Sequence, residues 1–359
     1  MIFRIIPSKA GKMAGISVDL MVGKLIDIKK VFQRLDPYRM AKELEPGMRT
    51  TMRQVVNNAA LFEMPSVWNT LPDEIKNDLY AKLLLTLPDF FQNLLHDVQE
   101  NIFDVFDIRD FAVRKMTIDK SLTNNVFLNV GAKEFRFIEY SGFVFGFLFG
   151  CIQTVVYLFY TRDIVLPIAG LIVGYATNWL ALKMIFEPVE PIYFCGYKIQ
   201  GLFLKRQKEV AVEFAKITSE LIFTSEAMWD EILYGPLAPK FEEYVRRHSK
   251  KITKNLMDGM EKELKMYLTP HCMECIQDRI ADNIIAEIPN TIHLGYEYSK
   301  EALGIEREIR EKLGDLPSKE FEGVLHPVFQ EDELKLILVG AALGAGVGAL
   351  QLLIPNGSN

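Results

Sequence analysis

Three stretches of this chain are too long and too free of charge to be ordinary water-exposed helices, and they limit the folds open to it. Tyr140 to Thr161 is a run of 22 residues without a charge, bounded by Glu139 and Arg162. Ile164 to Leu182 is a second run, of 19 residues, bounded by Asp163 and Lys183. From Leu336 onward the chain carries no charge at all, and the apolar part ends at Ile354-Pro355. A bilayer core takes about 20 apolar residues of helix, so each run qualifies as a span. An integral membrane protein is predicted; buried helices of a large soluble protein are the alternative.

Composition agrees. Of 359 residues, 49% are hydrophobic, and the mean hydropathy is +0.09. A net charge of −6 argues against nucleic acid as a partner, which would require a basic surface. Four cysteines, Cys151, Cys195, Cys272 and Cys275, make no disulfide framework.

Only Thr161-Arg162-Asp163 joins the first two runs, so they form a tight hairpin and return the chain to the side it came from. The expected order is a first helical soluble block at 1–137, a transmembrane hairpin at 138–187, a second helical soluble block at 188–335, and a last span with a short tail at 336–359. Lys133, Arg136, Lys183, Lys205, Arg206 and Lys335 lie near span ends on the side of the blocks, against Arg162 on the other. By the positive-inside rule the blocks face the cytosol or an organellar interior. The N-terminal 18 residues carry Arg4, Lys9 and Lys12 and no acid, which suits a transit segment. The run through Ile16, Leu20 and Leu25 favours a structural helix instead. Asn356-Gly357-Ser358 is a formal sequon, read as a chance match.

Outside the runs the chain reads as helix throughout, punctuated by proline, without strand alternation. Leu87, Phe91, Leu94, Val98, Ile102 and Val105 recur at spacings of three and four, the pattern of one buried helix face. The fold class is all-α, with two helical soluble blocks on one side of three transmembrane helices.

Two of the spans share a glycine pattern. Gly142, Gly146 and Gly150 are followed by Gln153; Gly340, Gly344 and Gly348 are followed by Gln351. Weaker parallels join 8–26 to 204–222 and 109–116 to 307–313, in the same order, and indicate an internal duplication. Glycine at every fourth position strips one helix face so that another backbone can come close. The two glycine spans are expected to cross each other, with Gln153 and Gln351 hydrogen-bonded or bridged by one water. The middle span adds Gly170, Gly174 and Asn178, whose expected partners are backbone groups near Gly146 or Gly344. These polar residues read as intramembrane glue, with a polar translocation path as the alternative.

After the middle span, Tyr193, Phe194, Tyr197 and Phe203 fall where an aromatic belt would lie. Lys205, Arg206 and Lys208 then open a helix. Positive charge there opposes the macrodipole, so lipid headgroups or an acidic partner surface are expected to meet these residues and Lys183. His271-Cys272-x-x-Cys275 is short of the four ligands of a structural zinc site, so no metal and no cofactor are predicted. The sequence carries no HExxH, Walker or GxSxG motif, so no catalytic residue is predicted, and Glu331-Asp332-Glu333 is read as the solvated start of the last span.

Gly174-x-x-Thr177-Asn178-x-x-Ala181-x-x-Met184-x-Phe186-x-Pro188 resembles the signature of a membrane family known as domain of unknown function 445, which includes the bacterial YheB and YjiN proteins. Gly201-Leu202-Phe203-Leu204-Lys205-Arg206 keeps the shape of the turn that follows in that family but lacks its proline, which Ile5-Ile6-Pro7-Ser8-Lys9 keeps. The stretch 224–236 and the last glycine span also look like the family, so the resemblance covers essentially the whole chain. Glu187 stands where bacterial members tend to have arginine. The resemblance implies that the first copy should open with its own span, upstream of this chain's start, and it brings no activity. The role expected is a non-catalytic membrane scaffold or accessory subunit that presents a helical platform to membrane lipids and protein partners. A lipid or small-solute transporter is the alternative, and a metal or redox protein built on the CxxC comes third.

Overall fold

The computed structural model describes residues 15, 18, 19, 22–160, 162, 164–258 and 269–352; the side chains of 120, 123, 124, 127, 325 and 327–332 lie outside the description. The sequon, most of the N-terminal segment and most of the 161–163 turn also fall outside the described residues. The long helices are α1 (Pro37–Glu63), α2 (Asp73–Glu100), α3 (Ala132–Phe159), α4 (Val165–Phe186), α5 (Gln207–Leu221), α6 (Ala238–Asp258), α7 (Pro270–Ile292) and α8 (Ser318–Gln351). A single antiparallel hairpin, β1 (Ile192–Phe194) and β2 (Tyr197–Ile199), interrupts them among the described residues.

The compact units do not follow the four sequential blocks. One unit combines the segment ending at Leu25 with Val113–Thr218 and Glu306–Asn359, and the other combines Ile26–Ala112 with Ser219–Ile305. Each half of the chain contributes to both.

The second unit is a bundle in which α1 packs on α2 and α7, and α6 packs on α7 and α2. Helix α1 starts where Asp36 accepts the Tyr38 N–H at 2.9 Å and Pro37 supplies a preset first turn. Met40, Leu44, Met48, Met52, Val55 and Ala59 then bury one stripe. On α2 the predicted face is buried at Leu87, Phe91, Leu94 and Val98, and it continues through Ile102 and Val105 beyond the break at Asn101. Gln99 is buried with them, and its amide donates to the carbonyls of Phe32 and Leu35 at 2.9 and 2.7 Å. It thereby adds a second donor to the Phe32 carbonyl, which already accepts the Leu35 N–H at 3.1 Å, and ties the end of the short helix Ile28–Phe32 to α2. An apolar gap of about 30 Å³ remains beside Met48, Phe91 and Trp229.

The first unit holds the three helices long and apolar enough to cross a membrane: Ala132–Phe159, Val165–Phe186 and Glu333–Gln351. They overlap the three charge-free runs. Helix α8 begins well before its apolar part, so one continuous helix joins polar residues to the span. Helix α4 lies between the others: α8 packs along most of it, α3 packs on it less extensively, and α3 and α8 have no extensive contact with each other. The chain is an all-α integral membrane protein with three candidate spans.

Candidate functional site: a glycine-lined groove among the spans

The middle helix, not the first, receives the glycine face of α8. A methyl group placed on Gly170 would fall within 3.0 Å of the Gly344 backbone, and one on Gly174 within 3.0 Å of the Gly340 carbonyl. Gly340 and Gly344 are closed in the same way by Gly174 and Gly170, and Gly348 lies against Leu166 and Pro167. Five glycines thus bring two helix backbones together where no side chain fits, a geometry that maximises dispersion contact in a bilayer.

The expected crossing of the two glycine spans is therefore not formed. Gly142, Gly146 and Gly150 have open space where a side chain would project. The physical reason is placement: α4 already fills the glycine face of α8, so the matching face of α3 is left over. Gly146 and Gly150 instead line a groove of about 350 Å³ together with Gly170 and Gly174 of α4 and Leu343 and Val347 of α8. Gln153 and Gln351 line the same groove toward the C-terminal ends of their helices, and no hydrogen bond between them is formed in the structure. Asn178 is not a groove residue. Its amide donates to the Leu336 carbonyl at 2.7 Å, two turns before Gly344 and on α8 rather than α3.

The signature stretch is thus largely a packing surface. Gly174 admits the α8 backbone, Thr177 returns its hydroxyl to the Gly174 carbonyl at 3.2 Å, Asn178 ties α4 to α8, and Ala181 is buried. Phe186 stacks on His326 of α8, with ring centroids 4.2 Å apart, and packs on Phe203 at 5.7 Å. Met184 is exposed.

Below the groove lies a polar cluster that only folding assembles. Arg206, at the end of the short helix Leu202–Lys205, donates to Glu134 in the first turn of α3 at 2.5 Å and to Glu209 at 3.1 Å, and lies 3.8 Å from Glu213. Lys133 adds a bond to Glu209 at 2.6 Å. Burial disfavours the Arg206 cation, but the hydrogen bonds to Glu209 and Glu134 more than offset it, so its pKa is raised. Of the four cations expected to meet headgroups or an acidic partner, Arg206 is thus engaged within the chain. Lys183 pairs with Glu187 at 3.1 Å and lies over the Trp179 ring, while Lys205 and Lys208 are exposed. Phe203 departs from the expected belt: it is fully buried and stacked on Phe321 at 5.4 Å.

Sequence reasoning passed over His326. Its two ring nitrogens meet Glu322 at 2.5 Å and Glu333 at 2.8 Å. Two carboxylate acceptors suit an imidazolium, which donates from both nitrogens. Burial opposes that charge, yet the Glu333 and Glu322 bonds outweigh it and raise the pKa. The Glu322-to-His326 spacing of one helical turn was the available signal. At the CxxC, Cys275 Sγ lies 3.8 Å from His271 Nε2, and burial with nearby Glu63 and Cys275 pushes the Cys272 thiol up.

Comparison with known proteins gives similarity over part of the chain. It is 25% identical over 175 residues to a UPF0754 membrane protein of Bacillus cytotoxicus, covering 46% of this chain and 45% of that protein. It is 26% identical over 147 residues to one from Bacillus cereus, covering 40% and 38%, and 30% identical over 102 residues to one from Geobacillus thermodenitrificans, covering 26% of each. The matched stretches span less than half the length of these relatives. No family model and no solved structure matches the chain. The chain is therefore similar to UPF0754 membrane proteins, whose names specify a membrane location and no activity, and its own three apolar helices agree with that location.

Proposed function

We propose that this chain is a non-catalytic membrane scaffold or accessory subunit, and that its groove receives an apolar helix of a protein partner. The observation that carries this reading is the unused glycine face of α3. Five glycines on α4 and α8 are closed by backbone contact, whereas Gly142, Gly146 and Gly150 face open space. A bare helix face is costly in propensity, about 1 kcal/mol per glycine, and is useful where another backbone docks. Photocrosslinking tests it. A benzophenone side chain replacing Gly146 should yield a discrete protein adduct in native membranes, and one replacing Leu158, exposed on α3, should not. Equal labelling from both positions would sink the reading.

A second reading, lipid or small-solute handling, is favoured by one feature: Gln153 and Gln351 bring amides into a groove lined chiefly by glycine, valine and leucine, with Thr177. Adducts at Gly146 with lipid alone would select it.

Two finer expectations belong here as well. The domain of unknown function 445 relationship is supported by the packing roles of Gly174, Thr177, Asn178, Ala181 and Phe186. The duplication is supported by element order, since α2, the helix Ile108–Ile118 and α3 precede their counterparts α7, Ile305–Asp315 and α8 in the same sequence. Segments 26–112 and 219–305, equal in length, also enter the same unit. Both polar parts lie on one side of the membrane in this reading, the cytosolic or organellar-interior side, and protease accessibility on opposite faces would overturn that.

A further inference from the structure

The hairpin after the middle span has no packing of its own. Ile192 pairs with Ile199, Tyr193 with Lys198 and Phe194 with Tyr197. Cys195 and Gly196 turn the chain with φ of 49° and 83°, the positive pair that a two-residue turn of this hand requires. All six strand residues are exposed, on both faces of the ribbon. Tyr193 is 72% exposed, Phe194 67% and Tyr197 78%, with Ile192 and Ile199 also open. A free two-stranded hairpin is marginal in water, and one with five apolar side chains outward gains nothing from folding there.

Its base, in contrast, is fixed. The Gly201 N–H donates to the Pro188 carbonyl at 3.0 Å, and Gln200 donates to the Val189 carbonyl and to Ser318 Oγ, each at 3.1 Å. Gly201 lies so close to the last turn of α4 that a side chain would meet the Ile185 and Phe186 backbone within 3.0 Å. The ribbon therefore springs from the end of a span, at the level where a bilayer gives way to water.

We propose that this hairpin is a membrane-interface anchor, with the Phe194–Tyr197 tip seated among lipid headgroups and the first acyl carbons. The chemistry at this level fits one occupant. Aromatic rings with polar tips are favoured at the headgroup boundary. Exposure on both faces suits immersion in a fluid phase, where a protein partner would cover one face. Lys198, exposed Lys205 and Lys208, and Lys183 beside Trp179 supply cations at the same end of the span, among the exposed acids Glu187 and Glu190. That mixture holds the ribbon at the interface and out of the hydrocarbon centre.

Cys195 at the tip is exposed and gives a native reporter position. With Cys151→Ala, Cys272→Ser and Cys275→Ser, a bimane label on Cys195 of the full chain is read in nanodiscs of phosphatidylcholine and phosphatidylglycerol. Lipids carrying a nitroxide at acyl carbon 5 should quench it at least about twofold more than lipids labelled at carbon 12 or a water-soluble nitroxide. Stronger quenching from water would overturn the proposal. Protection from all three quenchers, or Cys195-to-Cys195 crosslinking between chains, would overturn it in favour of a protein partner or a second copy. If the Cys195 label disturbs the turn, Tyr197→Cys with Cys195→Ser repeats the measurement one residue beyond it.

Discussion

Asn178 on α4 donates to the Leu336 carbonyl on α8 at 2.7 Å, one turn before Gly340 closes on Gly174. The bond sits at the same helix pair that the glycines bring together, so its loss should be felt in the fold itself. Asn178→Ala should cost about 0.6–2 kcal/mol, the range of hydrogen bonds between helices in bilayers. Reversible unfolding in mixed micelles measures it, and an unchanged midpoint would remove Asn178 from the packing account.

The two glycine faces should respond differently to an added methyl group. Gly344→Ala puts a methyl into the Gly170 backbone and should destabilise by about 1–3 kcal/mol, the cost of overpacking. Gly146→Ala meets open space and should be neutral or stabilise by up to about 1 kcal/mol through helix propensity. The same unfolding assay compares them. Equal losses would mean that α3 packs its glycines in the membrane after all.

Removing Glu134 should hurt more than removing Lys133. Glu134 is almost fully buried against Arg206, whereas both partners of the Lys133–Glu209 pair are largely exposed. Glu134→Ala should cost on the order of 2 kcal/mol, less than the ~3–5 for a wholly buried pair because Arg206 keeps Glu209. Lys133→Ala should leave the midpoint nearly unchanged. The reverse order would refute the cluster's structural role.

Stability should fall as pH rises past the ordinary histidine range. The pKa of His326 is raised above 6.5 in the folded chain, so its contribution is fully present below that value. It is lost as pH climbs through the folded-state pKa. Thermal midpoints between pH 5.5 and 9 should show this slope, and His326→Gln should flatten it. A slope that survives the substitution assigns it to another group.

The CxxC should behave as a packed pair of thiols. Because burial pushes the Cys272 thiol up, little thiolate is available near neutral pH for a metal or an electrophile. Iodoacetamide should label it more slowly than a free thiol, and purified protein should carry no stoichiometric zinc. Bound zinc that disappears with Cys272→Ala would contradict both expectations.

The spans were legible because charge-free runs of membrane length are a one-dimensional property: Glu139, Arg162, Asp163 and Lys183 mark their ends whatever the tertiary arrangement. The α2 face from Leu87 to Val105 was legible for the same kind of reason, since helical period fixes which side is apolar. The hairpin was missed because the turn pair Cys195-Gly196 is a weak form of the usual glycine turn and its strands show no apolar-polar alternation. Partner choice was beyond the sequence. Gly146 and Gly174 offer equally bare faces to α8, and only the packed structure shows that α8 takes Gly174 and leaves Gly146 beside a groove. Arg206 was expected to meet lipid headgroups or an acidic partner, and folding instead brings Glu134 to it across 72 residues. Local period and charge fix what a helix can bury; which neighbour buries it depends on contacts distant in sequence, and those arise only when the helices assemble.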